Sequence, residues 1–363
     1  MRSKSGFIFM IIIFVVLLGI VLMQNKKQER TYKEQQEAKN IPFFPDFNPD
    51  AVANIKVTKI NDSLDFKREG GYWMVANTGM SPQIKENMEK PKEGEQSTAE
   101  VEETRQPEEN YTYYRADETQ VTDGILKAIK DLKREEHVSR DKESHTKFYV
   151  SPIVGIDVTA EDTDGNVLAH FIVGKASDMT STSNYVRQAD EDDVYEVRQG
   201  LQNLFNKPFN AWRDKTMYQF DKSLINKILF VGTPDGDVEF TKDDSGAWHN
   251  ETIEWPFDEA KINTAIETMS YLKALDFASP HIRREDTGLD ESTKKVVVSG
   301  TEGSYELIIG NATKDGKYNC STGIDDSIYM AKESDIKAIF LERQTLEKST
   351  SQAPTEQEQA KAE

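Results

Sequence analysis

Asn54-Ile-Lys-Val-Thr-Lys-Ile60, followed by Leu64-Asp-Phe-Lys-Arg68 and Gly71-Tyr-Trp73, has a counterpart in the second half of the chain. There the series reads Ile225-Asn-Lys-Ile-Leu-Phe-Val231, Val238-Glu-Phe-Thr-Lys242 and Gly246-Ala-Trp248. In each copy apolar residues alternate, as half-buried strands require: Ile55 and Val57 with Leu64 and Phe66, then Ile228 and Phe230 with Val238 and Phe240. Asn61-Asp-Ser63 and Pro234-Asp-Gly236 supply the turn chemistry between them. A series repeated in order is one supersecondary unit used twice, so each half can be read against the other.

Working outward from this hairpin, each copy continues through the same elements. A helix is expected where Val121, Ile125, Ile129 and Leu132 share one face, and again where Ile262, Ile266, Met269 and Leu272 do. Asp117 with Gln120 has capping-box spacing, and Asp258 caps the second helix alone. A second hairpin pairs residues 154–158 with 167–173 across Asp162-Thr-Asp-Gly165. Its counterpart pairs 295–299 with 305–309 across Glu302-Gly303. Both end on an apolar residue and Gly, at Val173-Gly174 and Ile309-Gly310. Two short strands follow (184–187 with 194–197; 317–321 with 328–330), and a short helix closes each half, at 201–205 and 336–341. The halves differ in spacing. Trp73 and Asp117 are 44 positions apart, Trp248 and Asp258 only 10, so the first half carries about 34 extra residues. The extra stretch, residues 81–110, is rich in Glu, Lys, Pro and Gln and too poor in apolar groups to order itself. It reads as a solvated loop, or as a tether for a partner.

Ahead of the repeats, residues 6–23 form an apolar run. At about 1.5 Å per residue, 18 residues span about 27 Å, enough for the hydrocarbon core of a bilayer. No small-x-small cleavage site follows, so an uncleaved transmembrane helix is expected rather than a signal peptide. Arg2 and Lys4 favour a cytoplasmic N-terminus with the bulk of the chain extracytoplasmic; Lys26, Lys27, Arg30 and Lys33 favour the reverse. The expected organisation is a basic segment (1–5), an anchor (6–23), a stalk (24–45), a first repeat (46–215, with the disordered insert 81–110), a second repeat (216–347) and a disordered tail (348–363). The expected fold class is α+β: an N-terminal transmembrane helix followed by two tandem repeats of mostly antiparallel sheet with one main helix each. The junction around residues 209–220 is expected to pack the repeats together, with Arg213 and Asp214 pairing there.

Composition narrows function more than any motif does. With 64 acidic against 45 basic residues the net charge is −19, which disfavours nucleic acid and anionic lipid. The single cysteine, Cys320, excludes an internal disulfide and a Cys-based zinc site, and reads as a core filler. Five histidines (His137, His145, His170, His249, His281) form no zinc-protease helix, and there is no nucleophile elbow or phosphate loop. Asp190-Glu-Asp-Asp193 and Asp325-Asp326 sit at matching turns, where a polar turn competes with a calcium loop; Asp162, Asp164 and Gly165 only faintly resemble such a loop. Trp73 and Trp248 read as core anchors, with carbohydrate stacking the alternative. No catalytic, cofactor-binding or metal-ligating residue is assigned.

Taken in order, these features resemble an uncharacterised bacterial domain family found beside ABC transporters of the gliding-motility type and their auxiliary subunits. The residues that carry the resemblance are Gly71 and Trp73 with Gly246 and Trp248, the Asp-led helices at Asp117 and Asp258, Gly288-Leu289 before the second hairpin, the apolar-Gly steps at 173–174 and 309–310, and Arg213-Asp-Lys215 between the copies. The first half departs from the pattern where Tyr149-Val-Ser-Pro152 replaces Gly-Leu, and in its acidic insert. The resemblance implies an extracytoplasmic, membrane-anchored accessory protein attached to a transporter complex, with an ABC permease or auxiliary subunit as partner; together with the anchor, the duplication and the missing reaction motifs, the leading expectation is a non-enzymatic interaction or scaffold protein of the cell envelope. The alternatives are an envelope ligand-binding module, taking glycan or peptide in a groove between the repeats, and a hydrolase built on scattered carboxylates.

Overall fold

A computed structural model describes residues 41–80, 111–279, 282–290 and 294–348. The chain divides between Asp214 and Lys215 into two compact units. In chain order the strands of the first unit are β1 (Ile41–Pro42), β2 (Asn54–Thr58), β3 (Ser63–Glu69), β4 (Tyr72–Gly79), β5 (Tyr114–Arg115), β6 (Lys133–Arg134), β7 (Glu136–Ser139), β8 (Ile156–Glu161), β9 (Val167–Ala176), β10 (Asn184–Gln188) and β11 (Val194–Val197). Those of the second are β12 (Ile225–Thr233), β13 (Gly236–Lys242), β14 (Trp248–His249), β15 (Asp276–Phe277), β16 (Lys295–Gly300), β17 (Gly303–Ala312), β18 (Lys317–Ser321) and β19 (Tyr329–Lys332).

The first unit forms a nine-stranded sheet in the order β5-β4-β3-β2-β8-β9-β10-β11-β7, plus a two-stranded ribbon of β1 and β6. The second forms an eight-stranded sheet in the order β14-β13-β12-β16-β17-β18-β19-β15. Apart from β5, the two orders superpose strand for strand, and all neighbours pair antiparallel. The repeated hairpins register as their alternation dictates: Ile55 opposite Phe66 and Val57 opposite Leu64, Ile228 opposite Phe240 and Phe230 opposite Val238. All eight side chains are buried. A one-residue slip would turn each set to the other face, so burial of one face specifies the register.

The expectation of an α+β fold headed by a membrane helix is corrected here. Antiparallel sheet dominates the described chain, and no helix among the described residues is long and apolar enough to cross a membrane. The run at residues 6–23, the stalk up to residue 40, the insert 81–110 and the tail from 349 lie outside the described residues. One main helix per repeat is present in both units; in the second, Glu259–Ser270 is a 12-residue α-helix burying Ile262, Ala265, Ile266 and Met269. Its counterpart runs over residues 118–130, π-helical over Gln120–Leu126 and α-helical on either side of that segment. Val121, Ile125 and Ile129 keep the four-residue spacing of one helix face through the π segment. Thr122, Asp123 and Gly124 in between are weak α-formers.

The second hairpin starts later than its apolar pattern predicts. Val154 lies in a turn, and β8 begins at Ile156. Each unit also packs a buried loop directly on a glycine of its longest strand. A Cβ on Gly174 would lie 2.2 Å from the Phe148 carbonyl oxygen, and one on Gly310 would lie 2.4 Å from that of Thr287. The following residues, Val150 and Leu289, fill the same place in their units and are both buried. Between glycine-backed contact and buried apolar residue the chain turns through a left-handed conformation, at Tyr149 (φ 61°) and at Gly288 (φ 72°). The Tyr149-Val150 that departs from Gly-Leu in sequence thus performs the same turn, with strain glycine avoids.

Candidate functional site

Trp73 and Trp248 are buried, with relative exposures of 1 and 2 %. Each is locked in the same way. The Trp73 backbone N–H donates to Glu118 Oε1 (2.6 Å) and that of Trp248 to Glu259 Oε2 (3.3 Å). The preceding aspartates cap the helices: Asp117 Oδ1 accepts from Gln120 N (3.1 Å) and Asp258 Oδ1 from Ala260 N (3.0 Å). The reciprocal half of the capping box is not made, because the Gln120 amide donates to the Ala211 carbonyl (2.7 Å) and accepts from Lys207 Nζ (2.8 Å). A cation covers each indole, Arg68 at 5.0 Å and Lys242 at 4.8 Å from the ring centroid. Trp248 Nε1 donates to Asn263 Oδ1 (3.0 Å), whereas buried Trp73 Nε1 has no acceptor among the described residues. Two aromatics enclosed in this way are not surfaces for stacking a sugar.

The densest set of ionisable groups lies at the β10–β11 turn of the first unit. Arg187, 6 % exposed, donates through Nη1 to the carbonyls of Gln188, Ala189 and Glu191 (3.1, 2.8 and 2.8 Å) and through Nε to Val150 O (2.9 Å). The turn is thereby folded around one guanidinium, a use of its fixed fork of donors. Its carboxylates then face cations outside it. Glu191 pairs with Arg134 Nη2 (2.7 Å), and Asp193 lies 2.6 Å from His137 Nε2 and 3.2 Å from Arg140 Nε. Buried His145 places Nε2 3.0 Å from the Asp192 carbonyl oxygen, donating to it as the Nε2–H tautomer. On the neighbouring strand His170 Nε2 meets Asp157 Oδ1 at 2.9 Å. That hydrogen bond raises the His170 pKa above the ordinary 6.5. Its stabilising contribution is therefore complete below about pH 6.5 and is lost as pH climbs through the raised folded value.

The remaining candidates have local partners. Asp162 Oδ1 accepts from the backbones of Asp164 (2.9 Å) and Asn166 (2.8 Å), with Gly165 at φ 81° completing the turn. Asp325 likewise caps Ser327 N (2.8 Å), and His249 binds Asp243 (2.7 Å). Among the described residues no group of three or more His, Cys, Asp or Glu is arranged to hold a metal ion. Burial pushes the Cys320 thiol up to about 12. Asp214 lies 3.5 Å from Arg115, and the Arg213 guanidinium stacks 3.9 Å from the Tyr114 ring centroid. His281 is outside the described residues. In the second unit a surface groove beside the stacked rings of Phe220 and Tyr305 (4.3 Å between centroids) encloses about 0 Å³, far short of the roughly 300–1,000 Å³ of small-molecule sites.

Residues 109–291, just over half of the chain, match a family described as Domain of unknown function (DUF4340). The chain belongs to the DUF4340 family. No curated protein and no solved structure matches it. The DUF4340 span holds both Asp-Glu helix starts (117–118 and 258–259), the junction 213–215 and the second Trp hairpin. The first hairpin with Trp73 lies outside it. Sequence reading found the capping aspartates of this family member but passed over the glutamates beside them. The signal was present in the repeated Asp-Glu, each pair following a Gly-x-Trp strand. The gathering of His137, His145 and Arg187 around one turn had no such signal, since β7, the short His145–Phe148 helix and β10 bring them from separate positions.

Proposed function

We propose that this DUF4340 protein is a non-enzymatic accessory or scaffold protein of the cell envelope, working beside an ABC-type transport or gliding-motility-like system. In this reading it resides at the inner membrane with the bulk of the chain extracytoplasmic, and its partner is an ABC permease or auxiliary subunit. One observation carries the proposal. The two sheets repeat the same strand order, and each locks its equivalent tryptophan into the core with a helix-borne glutamate. Aromatic and acidic residues that could have formed a ligand site serve instead to make two rigid platforms. The apolar residues 6–23 support the address, and the ordered series of motifs supports the transporter association.

Crosslinking in native membranes, purification through a C-terminal tag and mass spectrometry test this directly. An ABC permease or its auxiliary subunit is expected among the crosslinked partners. Recovery of the protein alone, under conditions that preserve known complexes, would refute the accessory role.

A further inference from the structure

The main helices of the two units are held at both ends by the same contacts, yet one is a residue longer between them. At the start, Glu118 and Glu259 each accept the backbone N–H of the equivalent tryptophan. At the end, the carbonyls of buried Leu132 and Leu272 each accept from an upstream segment of their own unit, from Phe43 N and Met217 N, both at 2.9 Å. Leu132 N and Leu272 N each turn back three residues, onto the carbonyls of Ile129 and Met269 (3.3 and 3.2 Å). From Glu118 to Leu132 is 14 positions; from Glu259 to Leu272 is 13.

The extra residue has a definite place. Val121 and Ile262 both stand three positions after their glutamate, and both are fully buried. Val121 to Ile129 is 8 positions and Ile262 to Met269 is 7, so the difference falls between residues 121 and 129. In a continuous α-helix one added residue turns everything beyond it by about 100°. That turn would carry Ile129 and Leu132 away from the places that Met269 and Leu272 hold in their unit. The π segment Gln120–Leu126 covers this stretch, and Lys127 N at its end reaches back five residues to the Thr122 carbonyl. One wide turn thus takes up the added residue and returns the rest of the helix to register.

Side chains set this turn apart from its counterpart as well. Thr122 stands four positions after its glutamate, as Asn263 does. Asn263 Oδ1 accepts from Trp248 Nε1 (3.0 Å), whereas Thr122 Oγ1 donates to the Glu118 carbonyl (2.7 Å) and buried Trp73 Nε1 has no acceptor among the described residues. Gly124 offers no side chain to the short Leu201–Phe205 helix; a Cβ there would meet Leu204 Cδ1 at 3.5 Å, an ordinary contact. We propose that the first unit's main helix stores a one-residue insertion in its π segment, and that this segment is a joint where the helix opens while both its ends stay held. The freedom of the glycine, a tryptophan without its side-chain tie to the helix and an isolated π turn each lower the free energy of local opening. The second unit's continuous α-helix, tied to its tryptophan through Asn263, has none of the three.

Hydrogen exchange of the full chain, corrected for intrinsic rates, tests the joint. Amides of residues 124–128 should exchange about ten-fold faster than those of residues 265–268, and faster than those of β8 and β9 in their own unit. Deletion of Gly124 should make the helix continuously α and slow residues 121–128 to the rate of their counterparts, with residues 261–268 unchanged. If the deletion variant does not fold, Gly124→Ala, whose methyl has room beside Leu204, should slow the same amides several-fold. Exchange of residues 124–128 in step with β8 and β9, or unaltered exchange in a folded variant, would overturn the joint.

Discussion

Tyr149 shows how one residue can break a pattern and leave the structure intact. It occupies the left-handed turn that Gly288 occupies in the other unit, and the two are followed by buried Val150 and Leu289. A non-glycine residue there carries strain of about 1–2 kcal/mol. Tyr149 is half-exposed and recovers part of this through Lys175, 5.5 Å above its ring. Tyr149→Gly is therefore expected to stabilise the first unit by about 0.5–1 kcal/mol, the usual gain at a compatible glycine site offset by added chain entropy. A shift of the unit's urea midpoint to lower concentration would show that tyrosine packing outweighs the strain. The departure was visible in the sequence, but its harmlessness was not, because φ is decided by the loop that packs against Gly174.

At the scale of elements, the repeated device is a strand joined to a helix by one carboxylate. Glu118 and Glu259 stand at the first turn of their helices, where the helix dipole favours an anion, and accept from the N–H of a buried tryptophan. Removing the acceptor leaves a buried donor unpaired, which costs about 1–3 kcal/mol. Glu118→Ala should cost more than Glu259→Ala, because the first bond is 2.6 Å long and the second 3.3 Å. Thermal or urea unfolding of both variants checks the order; equal, negligible losses would mean that the tryptophans are held by packing alone. The element boundaries were the least legible part of the sequence. Apolar periodicity located both helices, yet α and π turns present similar faces over so short a stretch, and only the hydrogen bonds distinguish them.

On the scale of the whole molecule, each unit has its own hydrophobic core. Met217 to Leu346 supply one, built around Phe230, Phe240, Trp248 and the Glu259–Ser270 helix; the other draws wholly on residues before Lys215. Residues 215–348 expressed alone are accordingly expected to fold and to unfold in a single cooperative transition. Dispersed amide resonances and a sigmoidal urea curve would bear this out, whereas a collapsed fragment without fixed side-chain signals would show that the second core is not self-sufficient.

Much of this architecture is written in period and order. Alternation of Ile55, Val57, Leu64 and Phe66, and of their counterparts, determined the hairpins and their buried faces, because side chains on a strand alternate between faces whatever surrounds it. The duplication determined that two units of one design would follow, and the lack of any nucleophile or phosphate motif left the chemistry open. Tertiary structure alone decided the rest. The order that places β2 beside β8, the glutamates that hold the tryptophans and the histidines gathered at Asp190–Asp193 all depend on contacts between residues far apart in the chain. Local sequence carries propensity and periodicity; which distant strands meet is determined by the burial of a whole face at once.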